Sequence, residues 1–175
     1  YNPDISLNGL PKERSLVLTP EGTDTDSVFA DFCICTVPLG VMQQRKIEMV
    51  PPPLDSFWTS IDRIGMGNLE KVVLCFETRF WGRLKQFGVG HEDPSRVKSF
   101  YCTETYDDAS TSQAVLYLFL GGAAAERLYS MGDAEAVEDA MDALRSIFGS
   151  DQVSSLKQSW VSRWRQDPHS GGAYS

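Results

Sequence analysis

The chain has 175 residues, 42% of them hydrophobic, and a formal charge of −8. That length allows one well-buried domain, and the mix of apolar and scattered charged residues excludes a largely disordered chain. The net acidity argues against direct binding to a nucleic-acid backbone, which needs clustered Lys and Arg, and no apolar stretch approaches the length of a membrane span. A cationic substrate suits the sign of the charge, although mild acidity is also ordinary in soluble proteins.

In chain order, residues 15–19 and 28–37 read as two strands rich in β-branched and aromatic residues, joined as a hairpin by the polar segment 20–27. Pro38-Leu39-Gly40 breaks the second strand, residues 41–44 form a short helical turn, and Pro51-Pro52-Pro53 imposes an extended connection. Leu54, Phe57 or Trp58, Ile61 and Ile64 recur at helical intervals until Gly65 and Gly67 stop the helix. Strands are expected at 69–76, 86–90, 97–102 and 114–120, with a polar loop over 103–113. A short helix follows at 123–130. A longer one begins at Asp133, a good N-cap, and sets Val137, Ala140, Met141, Leu144 and Phe148 on one face until Gly149. Residues 157–164 return as a strand. The expected fold is α+β (mixed α/β): a mixed sheet flanked by helices, with a helix layer over one face.

Cys33, Cys35, Cys75 and Cys102 show no CxxC pair or zinc-type spacing, and read as free buried thiols in a reducing compartment. No metal site is expected. The start, Tyr1-Asn2-Pro3-Asp4, lacks an initiator methionine and a signal-peptide pattern, and the chain reads as part of something longer.

Lys71 interrupts a run otherwise built for burial and shares its strand face with Leu69, Val73 and Cys75. Either Glu70 and Lys71 mark an exposed strand beginning, or Lys71 is a strand-borne cation at the edge of a cleft, holding a water against a reacting centre. Trp164 and Tyr174 flank Asp167-Pro168-His169-Ser170-Gly171-Gly172, a stiff, turn-rich loop. Aromatic faces recognise ammonium groups; the alternative is that Trp164 is core and Tyr174 an ordinary strand residue. Trp58, Phe80 and Trp81 read as core, and the carboxylates between Asp133 and Asp142 as a solvated helix face. His91 and His169 have no acid or nucleophile beside them in sequence, and no G-x-S-x-G elbow exists. Gly65-Met66-Gly67 precedes a strand and reads as a turn, not a dinucleotide fingerprint.

Four blocks carry a resemblance: Cys35-Thr36-Val37-Pro38-Leu39-Gly40-Val41, Gly67-Asn68-Leu69-Glu70-Lys71-Val72-Val73-Leu74-Cys75-Phe76, Phe80-Trp81 and Ser162-Arg163-Trp164-Arg165-Gln166-Asp167-Pro168. In order, and over most of the chain, they resemble the catalytic domain of flavin-dependent amine oxidases of the lysine-specific histone demethylase branch. The resemblance implies FAD as cofactor, with Lys71 holding a water near the flavin N5 and Trp164 beside the isoalloxazine. It places Tyr174 in the aromatic wall around the substrate amine, and Tyr101 where relatives have a Trp. Thr36, Val37 and Pro38 stand where the FAD-binding part crosses into the substrate-binding part. His169 and Ala173 depart from the usual Trp and Ser.

The implied division is a strand hairpin of the FAD-binding part at 1–40, a substrate-binding subdomain at 41–162, and a return segment lining the flavin and substrate cleft at 163–175. The family's G-x-G-x-x-G unit is not in this sequence, so the chain by itself is expected not to turn over substrate. The implied reaction is oxidation of a methylated lysine's C–N bond, releasing formaldehyde and hydrogen peroxide. Implied partners are a methylated histone tail and corepressor proteins bound through regions outside this chain, in the nucleus. The rivals are a polyamine oxidase and a non-catalytic chromatin-binding scaffold.

Overall fold

In the run Leu-Glu-Lys-Val-Val-Leu-Cys-Phe, every second side chain is buried, which is the signature of a strand with one covered face. The computed structural model describes residues 16–18, 28–30, 32–102 and 114–175, and this run is its strand β3 (Leu69–Phe76). Glu70, Val72, Leu74 and Phe76 face inward; Lys71, Val73 and Cys75 lie on the more open side. The chain divides into two compact units between Val37 and Pro38.

In the first unit, β1 (Leu16–Leu18) pairs antiparallel with β2 (Val28–Ala30), as expected of the hairpin, whose connecting segment lies outside the described residues. The second strand was expected to reach residue 37, but 32–37 have no regular structure, since the ladder ends at the Leu16↔Ala30 pair. Phe32, at 90% exposure, and Cys33 and Cys35 are therefore exposed. The expectation of buried thiols is corrected for all four cysteines: they are free, but Cys75 and Cys102 are half-buried. Burial pushes both of those thiols up, which keeps them protonated at neutral pH.

In the second unit, α1 (Leu39–Gln43) and α2 (Asp55–Arg63) precede β3. Then come β4 (Gln86–Val89), a 3-10 turn (Pro94–Arg96), β5 (Lys98–Cys102), β6 (Ala114–Gly121), α3 (Ala123–Tyr129), α4 (Asp133–Phe148) and β7 (Leu156–Val161). The expected loop over 103–113 lies outside the described residues. The five strands order as β4-β5-β6-β3-β7, and every described pairing is antiparallel. The α+β expectation holds, but the sheet is antiparallel instead of mixed. The reason is that β4, β6 and β7 run one way and β5 and β3 the other, and the two sets alternate across the sheet, so that β6 and β7 flank β3 without being neighbours. The α3–α4 connection between them crosses one face and covers it.

That covered face is the core. Val72 and Leu74 of β3, Phe100 of β5, Leu116 and Leu118 of β6, and Ala140 and Leu144 of α4 are fully buried, with Val137 and Phe148 packed at the margin. Burial of each Leu or Phe side chain contributes about 1.5–3 kcal/mol. Phe80 packs edge-on between Trp81 and Phe148 at 5.0 and 5.3 Å, closing one end of this core. Trp58 does not join it. α2 buries no residue, and the Trp58 ring instead lies 4.1 Å from the Arg45 guanidinium.

Two further expectations change. Asp133 does not cap α4 from outside: it is the first helical residue, Gly132 precedes it, and its carboxylate pairs with Arg163 at 2.8 Å. The acidic face of α4 is not uniformly solvated, because Asp139 turns to Lys98 of β5 and Arg127 of α3, each at 3.0 Å. Lys98 is nearly buried, so the carboxylate is what makes its position tolerable.

Burial works to raise the Asp139 carboxyl, yet the hydrogen bonds from Arg127 and Lys98 outweigh it and hold it below its ordinary value of 3.8. A depressed carboxyl stabilises the fold above that ordinary value and loses its contribution as pH falls through the folded value. Asp139→Asn should therefore lower unfolding free energy at pH 7 by about 1.5–3 kcal/mol. In denaturant titrations at stepped pH, the gap between variant and wild type should close in acid; a gap that persists unchanged there would refute the assignment.

Candidate functional site

One residue of β3 is polar where the pattern demands an apolar side chain. Glu70 points into the covered face with no exposed surface, and a buried carboxylate is tolerable only with donors around it. It has three. Tyr129 Oη of α3 donates to Oε1 at 2.5 Å, Ser162 Oγ donates to Oε2 at 2.6 Å, and the Arg165 backbone N–H lies 3.4 Å from Oε1. Burial first, and then the hydrogen bond to Glu70, push the Tyr129 hydroxyl far above its usual titration range, so it remains a donor.

β7 stops at Val161, short of the expected 164, because the next side chains turn inward to polar partners. Ser162 reaches Glu70. Arg163 donates to the carbonyls of Leu128 and Met131 at 2.6 and 2.9 Å and to Asp133, tying the segment to the turn between α3 and α4. Arg165 bonds the Glu126 carboxylate, with Oε2 at 2.6 Å, and the same carboxylate accepts from Asn68 just before β3. Between these anchors Trp164 remains 43% exposed. An open concavity of about 360 Å³ is lined there by Ser162, Arg163, Trp164, Gln166, Asp167 and Pro168.

The loop that follows is built on Asp167. Its carboxylate accepts from the His169 backbone N–H at 2.9 Å and from Ser170 Oγ at 3.0 Å, and these bonds, the first above all, hold it below the usual carboxylate range. The chain then passes so close to α1 that a Cβ on Gly40 would meet the Gly171 carbonyl oxygen at 2.5 Å. It ends on a bridge between Gly67 and Tyr174, where the Tyr174 carbonyl accepts from the Gly67 N–H at 2.6 Å. The Tyr174 ring lies across Gly67 and is 59% exposed.

The open face of the sheet carries Lys71, half-buried, with Nζ 5.3 Å from the Phe119 ring centroid. Tyr101 meets the same ring edge-on at 4.8 Å. The two residues thus share Phe119, which occupies the strand between them. Lys71 is also joined to the return segment: its N–H donates to Ser162 Oγ at 2.7 Å and its carbonyl accepts from the Ser162 N–H at 2.9 Å. Of the two readings of the Glu-Lys pair, an exposed strand beginning is ruled out for Glu70. Trp164 is not core, against the plainer alternative for it, and Tyr174 forms an antiparallel bridge with Gly67, as a strand-like residue would. Pro38 begins the second unit, its carbonyl accepting from Val41 and Met42, while exposed Thr36 and half-buried Val37 end the first. His91 Nδ1 accepts only from the nearby Asp93 N–H among the described residues, and no cluster of potential metal ligands occurs among them.

Glu70, Ser162, Arg163 and Arg165 escaped the sequence reading as a unit. The available signal was a carboxylate in the inward register of an apolar strand, which must find donors; nothing local says that they come from residues 59, 92 and 95 positions away.

The family model described as flavin containing amine oxidoreductase matches residues 12–175. The chain is 33% identical to the "Possible lysine-specific histone demethylase 1" of Drosophila melanogaster, covering 99% of this chain and 21% of that protein. It is 34% identical to "Lysine-specific histone demethylase 1 homolog 1" of Arabidopsis thaliana (87% and 18% covered) and 31% identical to "Lysine-specific histone demethylase 2" of Homo sapiens (87% and 19%). The chain therefore spans about a fifth of the length of these curated relatives. Among solved structures, it superposes on cyclohexylamine oxidase from Brevibacterium oxydans with TM-score 0.71 at 19% identity, covering 92% of this chain and 34% of the other. Wild-type putrescine oxidase bound to putrescine gives 0.73 at 21%, covering 93% and 34%. These likenesses show the fold.

The two close glycine contacts differ in what they press against. At Gly40 the obstacle is backbone, so Gly40→Ala should cost about 1–3 kcal/mol, the scale of an overpacked site. At Gly67 a Cβ would meet the tip of the Tyr174 ring at 2.6 Å, and that exposed ring can swing away. Gly67→Ala should unfold at nearly the wild-type denaturant midpoint while losing the NMR cross-peaks between residue 67 and the ring. Equal destabilisation by both variants would contradict this.

Proposed function

The chain belongs to the flavin-containing amine oxidoreductase family, and on that premise we propose that it is the substrate-facing part of an FAD-dependent lysine-specific histone demethylase. One observation carries the reading: the Lys71–Ser162 backbone pairing sets the open-face lysine beside the segment whose tethered flanks turn Trp164 outward. A lysine and an outward indole on adjacent backbones suit a planar, electron-accepting ring better than they suit packing. The near full-length similarity of this chain to named histone demethylases supports the choice of substrate class.

The residues present fit the flavin. Trp164 offers an exposed aromatic face beside an apolar concavity, and on the family reading Thr36, Val37 and Pro38 are further FAD-binding residues. When bound, FAD accepts the electrons of C–N oxidation and passes them to oxygen as peroxide. The chain's own part is orientation and environment. Lys71 presents Nζ to a water on the open face of a rigid strand. Tyr174 and Tyr101 supply aromatic surface to a substrate nitrogen, and a poorly hydrated pocket keeps an amine neutral and reactive. In this reading residues 1–40 belong to the FAD-binding part, 41–162 to the substrate-binding part and 163–175 to the return segment. The substrate is a methylated histone tail, and the protein works in the nucleus with corepressor proteins bound elsewhere on it.

Assaying the full protein in parallel with methylated histone peptide and with spermine should give formaldehyde from the peptide and no turnover of the polyamine. The reverse result makes it a polyamine oxidase, and turnover of neither makes it a scaffold. Lys71→Ala should lower turnover by roughly 10²–10⁴ with little change in peptide binding. Activity within about twofold of wild type would show that Lys71 holds no essential water, since losing a positioned group costs far more.

For Tyr174 the ring, not the hydroxyl, is expected to count. Steady-state kinetics should find Tyr174→Phe close to wild type and Tyr174→Ala weakened by about 1–2 kcal/mol in transition-state stabilisation, the scale of a desolvated cation–π contact. Equal damage from both substitutions would shift the role to the hydroxyl.

A further inference from the structure

We propose that Glu70 is the positioning residue of this site: from the opposite face of β3, it fixes the distance between Lys71 and the Trp164 segment. The proposal rests on the amine oxidase reading for its consequence in catalysis, but the holding itself rests on geometry alone. Adjacent residues of a strand point to opposite faces, so Glu70 can be locked in the helix layer while Lys71 faces the cleft.

The lock is a closed loop of hydrogen bonds. Ser162 Oγ accepts from the Lys71 N–H at 2.7 Å and donates to Glu70 Oε2 at 2.6 Å, so one hydroxyl uses its acceptor and its donor to join the two neighbouring residues of β3. The second carboxylate oxygen accepts from Tyr129 Oη at 2.5 Å and faces the Arg165 N–H at 3.4 Å. The residues immediately before and after Arg163-Trp164 are thereby bound to one carboxylate. Arg165 also stacks over Tyr129, its Cζ 5.6 Å from the ring, and pairs with Glu126, which leaves few alternative paths for the segment. A hydroxyl at 162 donates and accepts from one atom, and a carboxylate at 70 accepts from all three donors without itself needing an acceptor.

Hydrogen exchange on the full protein tests this, with kinetics beside it. Glu70→Gln keeps the shape but turns one accepting oxygen into a donor facing Ser162. Protection of amides in residues 162–174 should fall roughly ten- to hundredfold, the scale of one hydrogen bond to a charged group, while β5, β6 and α4 keep theirs. Ser162→Ala should do the same, and Ser162→Thr, which retains the hydroxyl, should restore protection. On methylated peptide, kcat should drop roughly tenfold or more with KM little changed, as expected when reacting groups are held slightly out of place.

Unchanged protection at 162–174 overturns the proposal, as does a loss spread evenly over the whole chain, which would make Glu70 a plain stabiliser. Local loss with unaltered kcat overturns its role in positioning. If Glu70→Gln fails to fold, Ser162→Ala and its Thr partner carry the same test. Should the wild-type protein oxidise neither peptide nor polyamine, the functional reading falls, and the exchange pattern still decides whether Glu70 holds the segment.

Discussion

A carboxylate with no exposed surface, accepting from a tyrosine, a serine and a backbone amide, is the constraint around which this molecule is arranged. Its donors come from α3, from the end of β7 and from the loop beyond, so three parts of the chain must arrive together or leave a charge stranded in the core. Breaking a buried, fully bonded carboxylate costs several times what a surface pair would. The position of the return segment is therefore specified by an interaction that has few acceptable substitutes.

From this follows the division of labour along Ser162-Arg163-Trp164-Arg165. The serine is bonded to Glu70 and Arg163 to the helix-turn carbonyls and Asp133, while Arg165 pairs with Glu126 at the surface. Trp164 lies exposed between them. An exposed tryptophan on a loop would ordinarily be mobile, but here its neighbours are tied on both sides. The same economy holds at the end of the chain, where glycine at 67 and at 40 allows backbone and ring to approach closely enough for the Tyr174 bridge and the Gly171 turn.

The two faces of the sheet thus do different things. One is covered by α3 and α4 and supplies the hydrophobic stability. The other carries Lys71, Phe119 and Tyr101 as a connected row, with the aromatic ring between the amine and the tyrosine. That separation lets the open face hold polar and aromatic groups without loss of core packing, since alternation keeps the two sets of side chains apart. A fold of this kind can vary its chemistry on one side while its stability resides on the other.

Much of this was legible in the residues. The period-two run of β3, the apolar β6 and the amphipathic α4 declared themselves, because local periodicity reflects which face will be covered. Membership in the amine oxidases was legible from four blocks, and the family match bears it out. What could not be read locally was pairing. Only the tertiary structure decided that every described strand pair is antiparallel, that Asp133 and Asp139 find arginine and lysine partners instead of water, and that Trp58 lies outside the core while Trp81 lies within it. It also decided that Glu70, adjacent to the conspicuous Lys71, is the buried member of the pair. The physical reason is the same in each case: periodicity records the face a side chain takes, but a hydrogen bond or ion pair needs a partner whose distance along the chain leaves no local trace.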